Sequence, residues 1–139
     1  MNKIEVIKSE RDGLTVRDMI AHYAQAGWEA IPEDDIQRLK WYGLFLRNPT
    51  PGHFMLRVRM PGGQTTSAQL DTLADIALQY GNGVVDVTTR QQVQLRHLTI
   101  EHVPTVFSKL EEAGLTSMQT GMDTVRNIMT CPVAGLNPN

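Results

Sequence analysis

The chain is 139 residues long, about one ordinary domain and enough to bury a core. Hydrophobic residues make up 41% of it and charged residues 20%, and no apolar run approaches the roughly 20 residues of a membrane-spanning helix, so no membrane insertion is expected. Lys and Arg total 13 against 15 Asp and Glu, a net charge of -2 that gives no general attraction to nucleic acid or anionic lipid, so any anion recognition is local.

Cys131 stands alone. It excludes an internal disulfide framework and a four-thiolate iron–sulfur or zinc site within these residues, and a packed thiol is its ordinary reading. The opening MNKIEVIKSERDG carries acidic residues and no apolar stretch, unlike a secretory signal or a transit sequence. A cytoplasmic location is expected.

No internal repeat interrupts the chain, and Gly and Pro punctuate it regularly. After a polar lead, Thr15 is expected to cap a helix, with Asp18 three residues on and Val16, Met19, Ile20 and Tyr23 at helical spacing. Gly27 ends it. Pro32 opens a short acidic helix, Glu33 to Leu39, whose carboxylates favour the positive helix end. Trp41 to Leu46 reads as a buried or half-buried strand. Phe54 to Met60 alternates as another, broken by Pro61, Gly62 and Gly63. Thr66 and Gln69 form a capping-box pattern ahead of a helix with Leu70, Leu73, Ala74, Ala77 and Leu78 on one face, stopped by Gly81 and Gly83. Val84 to Leu98 is a long extended stretch bent near Gln91. Val103, Val106, Phe107, Leu110 and Ala113 form a second apolar helical stripe, ended by Gly114, and Leu115 to Met118 returns as a short strand. The fold class is α+β: the βαββαβ order of the ferredoxin-like motif, an antiparallel sheet with two helices on one face, behind an N-terminal helical extension.

Strand alternation assigns side chains to the two sheet faces. Phe54, Leu56, Val58, Met60, Val85, Val87, Val93 and Leu95 take one side. Arg57, Arg59, Asp86, Thr88, Arg90, Gln92, Gln94 and Arg96 take the other if the alternation continues unbroken. Antiparallel sheets commonly leave one face in water, and a solvated face is the plain reading. The residue types favour a second one, because Arg, Gln and Thr with only Asp86 acidic suit carboxylates and oxyanions. Asp123 is expected to cap a short helix carrying Arg126 and Asn127, and capped helix starts gather anions. An ordinary surface helix is the competing reading there.

Three ordered blocks, LKWYGLFLRNPTPGHFMLRVRMPGG, YGNGVVDVTTRQQVQLRHL and VRNIMTCPVAG, resemble the ferredoxin-dependent nitrite reductases and their sulfite reductase relatives. With the intervening helices they cover nearly the whole chain. The DVTTRQ and RNIMTCPVAGL spellings look more like nitrite than sulfite reductases, and Asp86 departs from the basic residue of some sulfite reductases. The resemblance implies an assimilatory enzyme that takes nitrite to ammonia with ferredoxin as electron donor, sirohaem and a [4Fe-4S] cluster as cofactors, and Arg57 and Arg126 at the substrate. It further implies that Arg57, Thr88, Thr89, Arg90, Gln92, Gln94, Arg96, Arg126 and Asn127 lie along the sirohaem, whose many carboxylates call for fixed cations. Arg59 is implied only as a neighbour. Segments 1–47, 48–120 and 121–139 are implied to be an N-terminal extension, the half-domain and the start of a linker to the sirohaem domain.

The family's cluster cysteines lie far downstream of RNIMTCPVAG, so the chain is expected to be the N-terminal portion of such a reductase, inactive alone and dependent on the remainder. A sulfite reductase portion is the alternative within the family. A standalone binding module with the same fold is the alternative outside it.

Overall fold

The computed structural model describes residues 2–122 and 124–136. Its helical N-terminal region begins with α1 (Lys3–Glu10), capped by the Asn2 side chain, which accepts from the Ile4 amide. The polar lead therefore holds a helix that periodicity does not reveal, because only Ile7 of α1 is buried. A 3-10 segment, Gly13–Met19, runs into α2 (Ile20–Ala26). Its cap is Asp12, accepting from Leu14, and not Thr15, whose hydroxyl instead donates to the Asp12 carbonyl at 2.7 Å. Gly27 ends α2 as expected, at φ 89. The acidic helix α3 (Glu33–Leu39) follows Pro32, which serves as its N-cap.

A buried cluster staples these helices together. Asp35, only 4% exposed, accepts from the Tyr23 hydroxyl, from Arg11 and from Arg38 Nη1 at 2.8 Å, while Arg38 Nη2 donates to the Ile7 carbonyl at 3.1 Å. Burial alone would raise the Asp35 carboxyl; the hydrogen bonds from Tyr23, Arg38 and Arg11 outweigh it and hold the group below its usual range. Burial, then the bond to Asp35, pushes the Tyr23 hydroxyl up to about 12.

The strand expected over Trp41 to Leu46 is shorter. Lys40–Tyr42 is a 3-10 turn and Gly43 has φ 73, so β1 is Leu44–Leu46. A side chain at Gly43 would also meet the Arg57 carbonyl at 2.6 Å. From there the sheet is built by β2 (Phe54–Val58), β3 (Val85–Val87) and β4 (Val93–Leu98), in the order β1-β2-β4-β3 with every neighbour antiparallel. The Leu115 to Met118 strand is reduced to one bridge, Arg59↔Thr116. β1 takes the edge beside β2 that a longer final strand would need, pairing Leu44 with Leu56 and Leu46 with Phe54.

The helices α4 (Ser67–Tyr80) and α5 (Val103–Glu112) complete the core. The capping box forms in full: the Thr66 side chain accepts from the Gln69 amide, and the Gln69 side chain accepts from the Thr66 amide. The buried face of α4 differs from the expected one. Leu73, Ile76 and Ala77 are buried, whereas Leu70 is 49% and Leu78 71% exposed. The stripe Val103, Val106, Phe107 and Leu110 of α5 is buried as expected. These residues, the sheet residues Leu56, Val58 and Leu95, and Val16, Ile20, Tyr23 and Leu39 of the helical region form one hydrophobic cluster. No helix of the described residues is long and apolar enough to cross a membrane.

Candidate anion-binding face

Strand pairing lays out the uncovered face. Arg57 stands opposite Gln94, which in turn stands opposite Asp86, so these three form one row across the sheet. On the edge, Phe45 pairs with Met55 and brings its ring beneath Arg57, whose guanidinium carbon lies 5.0 Å from the ring centre. Arg57 Nη1 donates to the Thr120 carbonyl at 3.2 Å, and its Nε is buried without a partner. Burial holds the pKa of this half-buried guanidinium below its ordinary value, and the positive charges of Arg126 and Arg90 add to the effect. Among the described residues, no carboxylate forms an ion pair with Arg57, Arg90 or Arg126. Arg90 and Arg126 thus lie near enough for their charges to act on Arg57, and among the described residues none of the three has a carboxylate partner, an arrangement whose electrostatic cost is relieved by an anion.

Local hydrogen bonds place the other two arginines. Arg90 rides on the β3–β4 turn, where Thr88 donates its amide to the Gln92 carbonyl at 2.8 Å and Gln91 donates its amide to the Thr88 carbonyl at 2.9 Å. The Thr88 hydroxyl oxygen also accepts from the amides of Arg90 and Gln92, at 3.3 and 3.1 Å. Arg126 comes from a segment that is irregular and not the short helix expected; Asp123, the expected cap, lies outside the described residues. The segment is latched instead of coiled. Asn127 Nδ2 donates to the carbonyls of Met60 at 2.7 Å and Arg90 at 3.0 Å. Gln91 and Thr130 exchange two bonds, Gln91 Nε2 to the Thr130 carbonyl at 2.8 Å and the Thr130 amide to Gln91 Oε1 at 3.1 Å. Thr130 Oγ1 donates to the Gly62 carbonyl at 2.8 Å, and the Gly62 amide donates to the Ile128 carbonyl at the same distance.

The other residues singled out from sequence fall into two groups. Thr89 is exposed and Gln94 is half-buried on the row with Arg57, whereas Arg96 is held by Asp86 through Nε and reaches Gln94 at 3.4 Å. Gln92 and Asn127 are 1% and 7% exposed, so both look into the protein and not out from it. Arg59 is spent on the carbonyls of Gln119 and Val125. Sequence reasoning did not single out Phe45, Thr120 or Gln91 as supports of this face. For Gln91 the signal was present, since the bend placed there is a residue at φ 57. No group of three His, Cys, Asp or Glu among the described residues is arranged to hold a metal.

With this geometry in hand, comparison with known proteins is informative. Residues 47–113 match the family described as the nitrite/sulfite reductase ferredoxin-like half domain. The chain is 52% identical over 139 residues to the ferredoxin–nitrite reductase of Synechococcus elongatus, covering 99% of this chain and 27% of that protein. It is 42% identical to the chloroplastic ferredoxin–nitrite reductase of Spinacia oleracea, covering 100% of this chain and 25% of that one. Among solved structures, the NirA protein of Mycobacterium tuberculosis superposes with a TM-score of 0.89 at 30% identity, over 96% of this chain and 28% of its own. The chain thus spans about a quarter of the length of these relatives.

Proposed function

We propose, for a chain that belongs to the nitrite/sulfite reductase family through its ferredoxin-like half domain, that it is the N-terminal portion of an assimilatory ferredoxin–nitrite reductase. The remainder of the reductase, sirohaem, a [4Fe-4S] cluster and ferredoxin complete the enzyme, and these 139 residues alone reduce nothing. The observation that carries this reading is that the charges of Arg90 and Arg126 act on Arg57, with no carboxylate paired to any of the three among the described residues and with a buried Arg57 Nε unpartnered. That donor set fits a polycarboxylate ligand. Nitrite is favoured over sulfite because the relatives at 52% and 42% identity are nitrite reductases by name. The exposed free thiol of Cys131 suits a reducing compartment, and the cytoplasm is assigned.

Sirohaem, when bound, supplies the iron at which nitrite takes up electrons, and the cluster supplies the path for them. The residues of this chain bind and orient. Arg57, stiffened by Phe45 and Thr120, and Arg126 hold the substrate anion as fixed positive charges. Arg90, Thr88, Thr89, Gln94 and Arg96 take the carboxylates of the macrocycle. Asn127 and Gln92, facing inward, hold the wall behind them. Arginine stays protonated, so it clamps charge and does not deliver protons.

Titration of the chain with sirohaem, read at the Soret band with the missing portion of the reductase added in trans, tests this. Binding is expected, and it is expected to weaken in Arg57→Ala and Arg90→Ala. An unchanged absorption spectrum in the wild type would remove the proposed site. Ammonia production from nitrite by the pure chain would overturn the assignment of a partial enzyme.

A further inference from the structure

A second basic cluster lies at the end of the sheet where the β1–β2 hairpin turns, next to Arg96 on the polar face. Arg47, Pro49, Thr50, Arg96 and His97 line a cavity of about 80 Å³ there. The hairpin loop is fixed by its own backbone: the Arg47 amide donates to the His53 carbonyl at 3.1 Å, and the amides of Thr50 and His53 donate to the carbonyls of Arg47 and Thr50 at 3.0 Å each. Opposite it, β4 carries an irregularity between its pairings with Phe54 and Leu56, and His97 adopts φ 61 within it. A left-handed conformation at a non-glycine residue in a strand re-aims the side chain and is retained where the surroundings over-determine it. Here the His97 ring packs edge-on against His53, with centres 5.6 Å apart.

Donors around the cavity are in excess. Neither the Arg47 guanidinium nor the Thr50 hydroxyl has a side-chain hydrogen bond or ion pair among the described residues. Arg96 uses Nε on Asp86 and Nη2 on Gln94, which leaves Nη1. Asp86 neutralises Arg96, so the net positive charge of the cluster is that of Arg47. The space, about 80 Å³, is well above the roughly 10–15 Å³ of probe volume that admits one water and suits one small oxyanion.

We propose that Arg47, Thr50, Arg96 and His97 form a second oxyanion site, sized for a single phosphate or carboxylate and adjoining the Arg57 row through Arg96 and Gln94. The Arg96 guanidinium, held by Asp86 and Gln94, the Arg47 guanidinium, unpaired among the described residues, and the Thr50 hydroxyl donate to the anion; the bulge at His97 closes one wall. Its occupant is either a free oxyanion or a carboxylate arm of the ligand proposed above, the second source resting on that proposal.

Inorganic phosphate titrated into the chain, followed by amide and arginine side-chain resonances, tests the site. Shifts are expected at Arg47, Thr50, Arg96 and His97, and Arg47→Gln is expected to weaken them about tenfold, the scale of one charge-assisted hydrogen bond. Arg57→Gln should leave this response unchanged. Shifts confined to the surroundings of Arg57, Arg90 and Arg126, or an Arg47→Gln response equal to the wild type, would refute the site. His97→Asn, which tolerates the left-handed conformation, guards against loss of fold and is expected to retain the Arg47 shifts. Sirohaem added, with the missing portion of the reductase in trans, to the phosphate-saturated chain distinguishes the sources: displacement of phosphate from Arg47 identifies a carboxylate arm, and joint binding identifies a free oxyanion. Failure of sirohaem to bind with that portion present would sink the proposed function and leave the phosphate result standing.

Discussion

Two buried side chains, Asp35 and Asn127, answer different questions about this protein. Asp35 gathers three donors from two helices and the segment after α1, so Asp35→Asn leaves Arg38 and Arg11 facing a neutral group. A loss of about 3–5 kcal/mol in denaturant unfolding is expected. The same cluster sets the pH limits of stability. Asp35 titrates below its usual value of 3.8, so its contribution is present above that pH and is lost as the pH falls through the lowered value. Tyr23 titrates at about 12 against a usual 10.0, so its contribution is complete below pH 10 and disappears as the pH rises toward 12. Tyr23→Phe should abolish that alkaline loss in unfolding curves taken across the range; a persisting loss would assign it elsewhere. Asn127 serves the site. Asn127→Ala removes the donor shared by the Met60 and Arg90 carbonyls, at about 1–3 kcal/mol, and should speed proteolysis between Thr124 and Thr130. Its sequence context suggested a ligand contact on a helix; the segment is irregular, its Nδ2 is engaged by main-chain carbonyls, which no local pattern reveals, and its Oδ1 is buried without a partner.

At the scale of elements, α4 separates a legible end from an illegible face. Thr66 and Gln69 form their capping box because that motif depends only on residues three apart, and Thr66→Ala should cost about 1 kcal/mol in thermal or denaturant unfolding. The buried face was less legible, since Leu70, Leu73, Ala77 and Leu78 satisfy helical spacing as well as Leu73, Ile76 and Ala77 do. Packing against β4 decides between them. Leu73→Ala should therefore destabilise by about 2–5 kcal/mol and Leu70→Ala by less than about 0.5 kcal/mol, a contrast that one denaturation series settles. The polar sheet face followed its two-residue period where the strands are regular, at Arg57, Gln94 and Asp86. It departed at Gln91 and His97, the two positive-φ residues that interrupt the ladder, and Gln92 next to the first of them is buried.

For the molecule as a whole, the βαββαβ order was readable and its last strand was not. A final strand needs an open edge, and β1 occupies most of it, a competition invisible to a window that scans one segment at a time. The family match begins at residue 47, yet Val16, Ile20, Tyr23, Ile31 and Leu39 lie in the same hydrophobic cluster as the sheet. Residues 47–120 expressed alone are accordingly expected to expose that surface and to lose cooperative unfolding. A sharp thermal transition from that shorter piece would show that the helical region is an accessory. α1 is tied to α3 from outside its own eight residues, by Arg38, which donates to the Ile7 carbonyl, and by Glu33, which pairs with Lys3.

The paired bonds between Gln91 and Thr130 have a mechanical meaning. They are loaded together when the backbone after Thr130 is drawn away, so tension there is delivered to the turn that carries Arg90, with Asn127, bonded to the Arg90 carbonyl, as a parallel strut. A pull on the chain after Thr130 would therefore reach the face proposed to hold anions and change the spacing of its guanidinium groups without touching any of them.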